Sequence, residues 1–303
     1  MQALELLCPV WPAPARVRAG VTTRVGGVSS GPFSSFNLGE HVQDDAENVR
    51  TNRQQLADFC AKEMSGRNSQ TPHRWRWLEQ THSTKVSEFK SSDPNVEPAV
   101  ASDAGISCSA GEVCVVLTAD CLPILLCDNQ GKCVGAIHAG WRGLLDGIID
   151  NTVQAMASKL ALASTKDCRN IYAWLGPAIG PTKFVVGNDV KKRACEYFSG
   201  SGEFSEYEKG CLEAFAPCPE ANFNNAGQRE KPALIAPLAA EGRGDTIRYT
   251  ADLYRMATLA LHRCGIQHIY GGGFCTASDA QRFFSYRRDG VTGRMASFIY
   301  LDD

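Results

Sequence analysis

Two apolar runs separated by a tight polar break constrain this chain more than any other feature. The runs are Cys114-Val-Val-Leu-Thr-Ala-Asp-Cys-Leu-Pro-Ile-Leu-Leu-Cys127 and Val134-Gly-Ala-Ile-His138. Val113 to Leu117, Leu122 to Cys127 and Lys132 to His138 are rich in aliphatic and β-branched residues, so each is expected as a short strand. Asp128-Asn-Gln-Gly131 is turn chemistry, which makes a hairpin of the last two. Cys121 and His138 stand at the polar breaks of these runs, where a reactive centre can be built into an otherwise apolar frame.

The rest of the chain supplies elements around that frame. Val17 to Arg24 alternates as a strand and breaks into the loop Gly26-Gly-Val-Ser-Ser-Gly-Pro. Asp45 to Lys62 has helical spacing, with Asp44 or Asp45 as its cap. Arg76 to His82 reads as a strand ending in a loop, and Lys85 to Phe89 as extended. Ala139-Gly-Trp-Arg-Gly143 opens a helix expected to reach Leu162. Ile171 to Leu175 is a strand, Asp189 to Tyr197 a helix, and Thr250 to His262 a helix with Thr250 as cap. Ile266 to Tyr270 and Ala296 to Leu301 are expected strands. Residues 199–232 mix Gly, Glu, Pro, Asn and Cys without a period and are expected as a surface excursion.

Composition removes several classes of function. With 303 residues and 44% hydrophobic content the chain can bury a large core, and one domain over 1–303 is expected. Basic and acidic residues nearly balance, 31 against 33, with no polybasic run, so neither a nucleic acid nor a membrane surface is an expected partner. The apolar stretches are too short for a membrane span. The first residues carry an early acid and no basic lead into an apolar core, unlike a secretory signal, so the cytoplasm is the expected compartment. Thirteen cysteines, an odd number in a long chain, are expected as reduced thiols, most of them buried as small hydrophobes.

Chemistry gathers at His82, Cys121 and His138. Two imidazoles and a thiolate suit one borderline-soft ion; zinc with an open fourth position fits best, and copper is the competitor. The spacings of 39 and 17 residues are too long for a zinc finger. Asp120, beside Cys121, is the expected outer partner that orients an imidazole. The same residue types occur in thiol hydrolases, with Cys121 as nucleophile, His138 as base and Asp120 as orienting acid, although His82 has no role in such a triad. A second constellation is Arg24, Arg142, Arg287 and Arg288, each near glycine or tyrosine in a loop beside a site strand. Arg142 lies in the first turn of a helix, where an anion is favoured. Tyr286 and Phe284 offer flat faces to a ring.

These residues sit in motifs that resemble a known family. Gly20-Val-Thr-Thr-Arg-Val-Gly-Gly27, Phe36-Asn-Leu-Gly39, Gln80-Thr-His82, Thr118-Ala-Asp-Cys121, His138-Ala-Gly-Trp-Arg-Gly143, Gly176-Pro-Ala-Ile-Gly-Pro181 and Phe283-Phe-Ser-Tyr-Arg-Arg-Asp-Gly290 are similar to the zinc-binding purine nucleoside phosphorylases, also known as laccase-like polyphenol oxidases. The resemblance implies an α+β fold with mixed β-sheets wrapped by helices, with His82, Cys121 and His138 as catalytic metal ligands. It implies phosphorolysis of adenosine, inosine and methylthioadenosine, with adenosine deamination at the same site, and hence purine nucleosides and phosphate as partners. Asp120 is expected in proton transfer, and Arg24, Arg142, Tyr286, Arg287 and Arg288 in binding substrate or phosphate. Three alternatives stand beside it: a copper-dependent polyphenol oxidase, hydrolytic editing of a peptidoglycan precursor, and a zinc-stabilised binding module without turnover. A multicopper cluster would be short of ligands with six histidines in the chain.

Overall fold

A computed structural model describes residues 3–64, 73–91, 100–162, 165–199, 206–218 and 247–303. The apolar runs form the middle of two sheets. Glu112–Thr118 lies in a five-stranded sheet ordered Leu6–Leu7, Val17–Thr22, Met295–Leu301, Glu112–Thr118, Arg74–Arg76. Leu122–Asp128 and Val134–Ala139 lie in a six-stranded sheet ordered His268–Gly271, Ile171–Leu175, Leu122–Asp128, Val134–Ala139, Ala104–Ser107, Val86–Phe89. Both sheets mix parallel and antiparallel pairs. The α+β class with mixed sheets is the one the family resemblance implies.

Alternation along the strands makes the layers. Cys114, Val116, Ile299 and Leu301 of the first sheet share an apolar cluster with Leu125, Cys127, Val134 and Ala136 of the second, so the two sheets face each other. The opposite side chains of the first sheet, Val113, Val115, Leu117, Phe298 and Tyr300, pack against Leu56 of the helix Ala46–Phe59. Those of the second sheet, Leu122, Ile124, Leu126 and Ile137, pack against the helices Ile148–Lys159, Asn188–Phe198 and Leu253–Arg263. A strand covered on both faces needs apolar residues at every position, which is why these stretches read as unbroken apolar runs. This frame also buries charge: Glu112 is fully inaccessible and pairs with Arg74 at 2.5 Å and Arg76 at 2.6 Å on the neighbouring parallel strand.

Local expectations fared unevenly. Asp45 caps its helix, its side chain accepting from the Glu47 and Asn48 amides. The helix expected from Ala139 to Leu162 is two, Trp141–Asp146 and Ile148–Lys159, because Gly147 takes a left-handed conformation (φ 98°) that ends the first and starts the second. The cap of Leu253–Arg263 is Asp252, which accepts from the Arg255 amide; Thr250 belongs instead to the strand Arg248–Ala251. Arg76 to His82 holds the end of one strand and the two-residue strand Leu78–Glu79. Within the expected excursion, residues 206–218 fold as the helix Glu206–Leu212 and the strand Phe215–Pro217, and Cys211, Ala214 and Phe215 join the core. Residues 200–205 and 219–232 of that segment lie outside the described ones. No helix among the described residues is long and apolar enough to cross a membrane.

Candidate metal centre

The antiparallel pairing that builds the hairpin also builds the centre. His138 is opposite Pro123 and Ala139 opposite Leu122, so the next step along the ladder brings Gly140 beside Cys121. His82 comes from the short loop after Leu78–Glu79, with a positive φ of 60°. The ligating atoms of His82, Cys121 and His138 all lie within 4.8 Å of one another. Cys121 Sγ is 3.7 Å from His82 Nε2, and the two imidazoles meet nearly edge to face with centroids 4.8 Å apart. His138 is buried, Cys121 half-buried and His82 exposed, so solvent reaches the centre from one side.

Gly140 keeps this space open. A Cβ there would stand 2.8 Å from His82 Cδ2 and 3.0 Å from Cys121 Sγ, inside the volume between the candidate ligands. Its φ of −64° is available to any residue, so the need for glycine is one of room.

The residue that orients His138 is Asp103, a position the sequence reading did not single out. His138 Nδ1 is 2.8 Å from Asp103 Oδ1, and the His138 amide donates to the Asp103 carbonyl. An ionised carboxylate only accepts, so the proton lies on Nδ1 and Nε2 is directed to the centre. The same carboxylate accepts from the amides of Thr81, His82 and Ser83 and from Ser83 Oγ, fixing the loop that carries His82. One buried acid therefore positions both imidazoles. Asp120, expected in this role, is engaged elsewhere: Thr276 Oγ1 donates to its Oδ1 at 2.6 Å and the Arg287 amide to its Oδ2 at 2.6 Å, while its backbone turns with φ 96°. It organises the turn into Cys121.

Electrostatics match the geometry. Burial disfavours ionised Cys121, but the charge and hydrogen bond of His138, with help from His82, outweigh it and bring the thiol down to about 6. Burial likewise opposes a charged His138, yet the Cys121 thiolate and the Asp103 carboxylate raise it to about 9. Burial pushes Asp103 up, and its hydrogen bonds from His138 and Ser83 prevail, lowering it to about 2. Around neutral pH the centre without metal is a thiolate–imidazolium pair backed by a carboxylate. Borderline-soft donors, a second-sphere acid and a cleared central volume are what a first-row divalent cation requires.

The remaining expected site residues divide. Arg24 spends its guanidinium on the Ser34 and Ala280 carbonyls and lies over the Phe284 ring at 4.7 Å. Arg288 is held by Asp289 and by the Thr276 and Phe283 carbonyls. Arg287 donates to the Val185 carbonyl. Arg142, exposed and two residues after Gly140, lies over the Trp141 ring. Tyr286 is 46% exposed, whereas Phe284 is fully buried core.

A mixed-sheet α+β fold with one His2Cys cluster among the described residues defines a protein with a candidate metal centre. The family described as multi-copper polyphenol oxidoreductase laccase matches residues 18–302, and the chain belongs to that family. It is 40% identical over 297 residues to a purine nucleoside phosphorylase of Pseudomonas aeruginosa, covering 98% of each chain. It is 38% identical to purine nucleoside phosphorylase YfiH of Escherichia coli K12, covering 98% of this chain and 99% of the relative. Among solved structures, a Neisseria meningitidis protein matches with TM-score 0.75 and 36% identity over 98% of this chain and 99% of that one. YlmD of Geobacillus stearothermophilus matches with TM-score 0.75 and 29% identity over the full length of both.

Proposed function

We propose that this chain is a metal-dependent purine nucleoside phosphorylase, acting on adenosine, inosine and methylthioadenosine and deaminating adenosine at the same centre, with His82, Cys121 and His138 holding zinc. The observation that carries the reading is the convergence of those three ligands on one cleared volume in a chain 38–40% identical, end to end, to relatives named for this activity. Zinc is preferred because the donor set is the His2Cys type that leaves a position for substrate; copper is the competing ion.

In phosphorolysis a phosphate oxygen bonds to C1′ of the ribose as the C1′–N9 bond breaks, and the purine leaves with the electron pair and takes up a proton. In deamination water adds at C6 and ammonia leaves. The bound metal supplies a fixed positive centre that stabilises negative charge developing on oxygen. The chain supplies rigidity. Asp103 fixes the ring of His138 and the loop of His82, so the ligands need not reorganise when substrate arrives. Asp120, tied to Thr276 and Arg287, holds Cys121 at the mouth of the turn and is the acid nearest to it in sequence for proton transfer.

The multicopper description of the family favours a different chemistry, four-electron reduction of oxygen, which needs several coppers. Among the described residues, which include all six histidines, His82, Cys121 and His138 form the only ligand cluster. The test is elemental analysis of protein purified without added metal, followed by incubation with adenosine and phosphate and analysis of products. Release of adenine with ribose 1-phosphate, and of inosine, is expected from zinc-containing protein. Absence of free base, with phenols oxidised in the presence of copper, would replace this reading with the oxidase.

A further inference from the structure

Cys108 and Cys133 stand apart from the metal centre, and the strand ladder sets them opposite each other. The antiparallel pairing of Ala104–Ser107 with Val134–Ala139 runs from Ile137 opposite Ala104 to Val134 opposite Ser107, so the next step brings Cys133 opposite Cys108. Along such a ladder, opposed residues alternate between pairs joined by backbone hydrogen bonds and pairs that are not. The His138 amide donates to the Asp103 carbonyl, which makes that pair a bonded one; counting along the register gives a bonded pair at Val134 and Ser107 and an unbonded one at Cys133 and Cys108. The backbone of Cys133 agrees. Its carbonyl accepts from the Asp128 amide and its own amide donates to Asp128 Oδ1, both toward the strand Leu122–Asp128 on the side away from Cys108. In an unbonded pair the Cα atoms are about 4.5 Å apart and the side chains approach closely. That spacing lies within the roughly 4.4 to 6.8 Å that a disulfide spans. Opposed residues also share a face, and Cys133 packs with Ala104, Ile106 and Ile137 on the helix-covered one.

This register singles the pair out. Cys114 faces Ile299 and Arg76 across its ladders, and Cys127 faces Val134 and Tyr172. Cys195 and Cys211 meet between the helices Asn188–Phe198 and Glu206–Leu212, where no ladder fixes the spacing. Cys108 and Cys133 are both free thiols, the first exposed and the second fully buried. The hydrogen bond from Cys133 favours the thiolate of Cys108 against burial and the charge of Glu88, and Lys159 at the end of its helix adds to the effect. The same bond, and then burial, keeps the proton on Cys133. The reactive sulfur is therefore outside and its partner inside.

We propose that Cys108 and Cys133 are a thiol–disulfide exchange pair, converted by a low-molecular-weight disulfide into a cross-strand disulfide. The Cys108 thiolate attacks one sulfur of the small disulfide, forming a mixed disulfide and releasing a small thiolate. Cys133 gives up its proton to that thiolate and attacks the Cys108 sulfur, which forms the Cys108–Cys133 bond and releases the second small thiolate. Two protein thiols are oxidised and one small disulfide is reduced to two thiols. The link ties together the two strands that carry Asp103 and His138 at their other ends.

The experiment incubates the metal-containing protein as purified with glutathione disulfide, blocks remaining thiols, and maps peptides by mass spectrometry without reduction. Digestion after Glu112 and Lys132 places Cys108, Cys114 and Cys133 on separate peptides. The wild type should yield the Cys108 peptide joined to the Cys133 peptide with loss of two hydrogens, and dithiothreitol should separate them. Cys133→Ala should stop at glutathione on Cys108. If that variant melts early, Cys108→Ala carries the test, because its site is exposed: Cys133 should then remain a thiol. Absence of the joined peptide in the oxidised wild type overturns the assignment, as does Cys108 joined to Cys114 instead. Glutathione on Cys133 in Cys108→Ala overturns it too, since the inner sulfur would not need the outer one.

Discussion

Asp103 and His138 face each other across adjacent antiparallel strands, joined twice: by the imidazole Nδ1 at 2.8 Å from the carboxylate and by the His138 amide donating to the Asp103 carbonyl. The pair makes the strand ladder itself part of the centre.

Replacing Asp103 should therefore weaken metal binding without touching a ligand. Asp103→Asn removes the charge that favours a proton on Nδ1 and also loosens the amides of Thr81, His82 and Ser83. We expect metal affinity to fall by about 10- to 100-fold, the usual cost of losing an outer partner. Competition against a chromophoric chelator measures it, and wild-type affinity would show that the ligands hold their places unaided.

Gly140→Ala is expected to block the centre while sparing the fold. The added methyl falls between His82 and Cys121, but exposed His82 can swing outward and the backbone conformation suits alanine. Metal content and turnover should drop together, with a melting curve close to wild type. Full metal occupancy in a crystal of the variant would contradict this.

Cys121→Ala should abolish turnover and cost only about 1 kcal/mol of stability, the common size for a point change away from the deep core. A melt beside an activity assay decides it: a collapsed melt means the centre is structural, and retained activity removes Cys121 from the chemistry.

Metal binding should depend on pH in two stages. On the proposed ligand set a metal would take the thiolate of Cys121 and the neutral Nε2 of His138, while the free centre has Cys121 near about 6 and His138 near about 9. Below about 6 binding must displace protons from both groups; between about 6 and 9 it displaces the one on His138; above about 9 neither needs to leave. Apparent affinity should thus rise steeply with pH up to the first value, at about tenfold per unit to the second, and then level. Calorimetry at pH 7.5 in buffers of different ionisation enthalpy should report release of about one proton. A pH-independent affinity across the window would refute the thiolate–imidazolium description.

Glu112→Ala tests the frame. It leaves Arg74 and Arg76 without the buried carboxylate they share, and should destabilise the protein by about 3 kcal/mol or more, as breaking buried pairs does. Chemical denaturation reads the loss directly.

Much of the candidate centre was legible because its residues interrupt apolar strands. Cys121 and His138 announce themselves as polar residues at the ends of runs that must be buried, and the turn at 128–131 fixes the register that brings them together. Asp103 gave no comparable signal: its partner is 35 residues away, and only the pairing of Ala104–Ser107 with Val134–Ala139 shows that the two meet. The helix break at Gly147 and the cap at Asp252 carried local signals, a glycine inside a helical period and an acid ahead of one, which the longer apolar pattern overrode. Arg24 and Arg288 were visible as arginines in loops, but sequence does not tell a guanidinium that binds ligands from one that ties loops together.

The place of Met295–Leu301 between Val17–Thr22 and Glu112–Thr118 bears on how the protein is made. During synthesis the first two partners leave the ribosome long before the strand that joins them, so each has an edge unpaired until Met295–Leu301 emerges. Open edges of that kind recruit other chains. Growing polypeptides on the same messenger are the nearest candidates, and the demand on chaperones should peak just before Met295–Leu301 emerges.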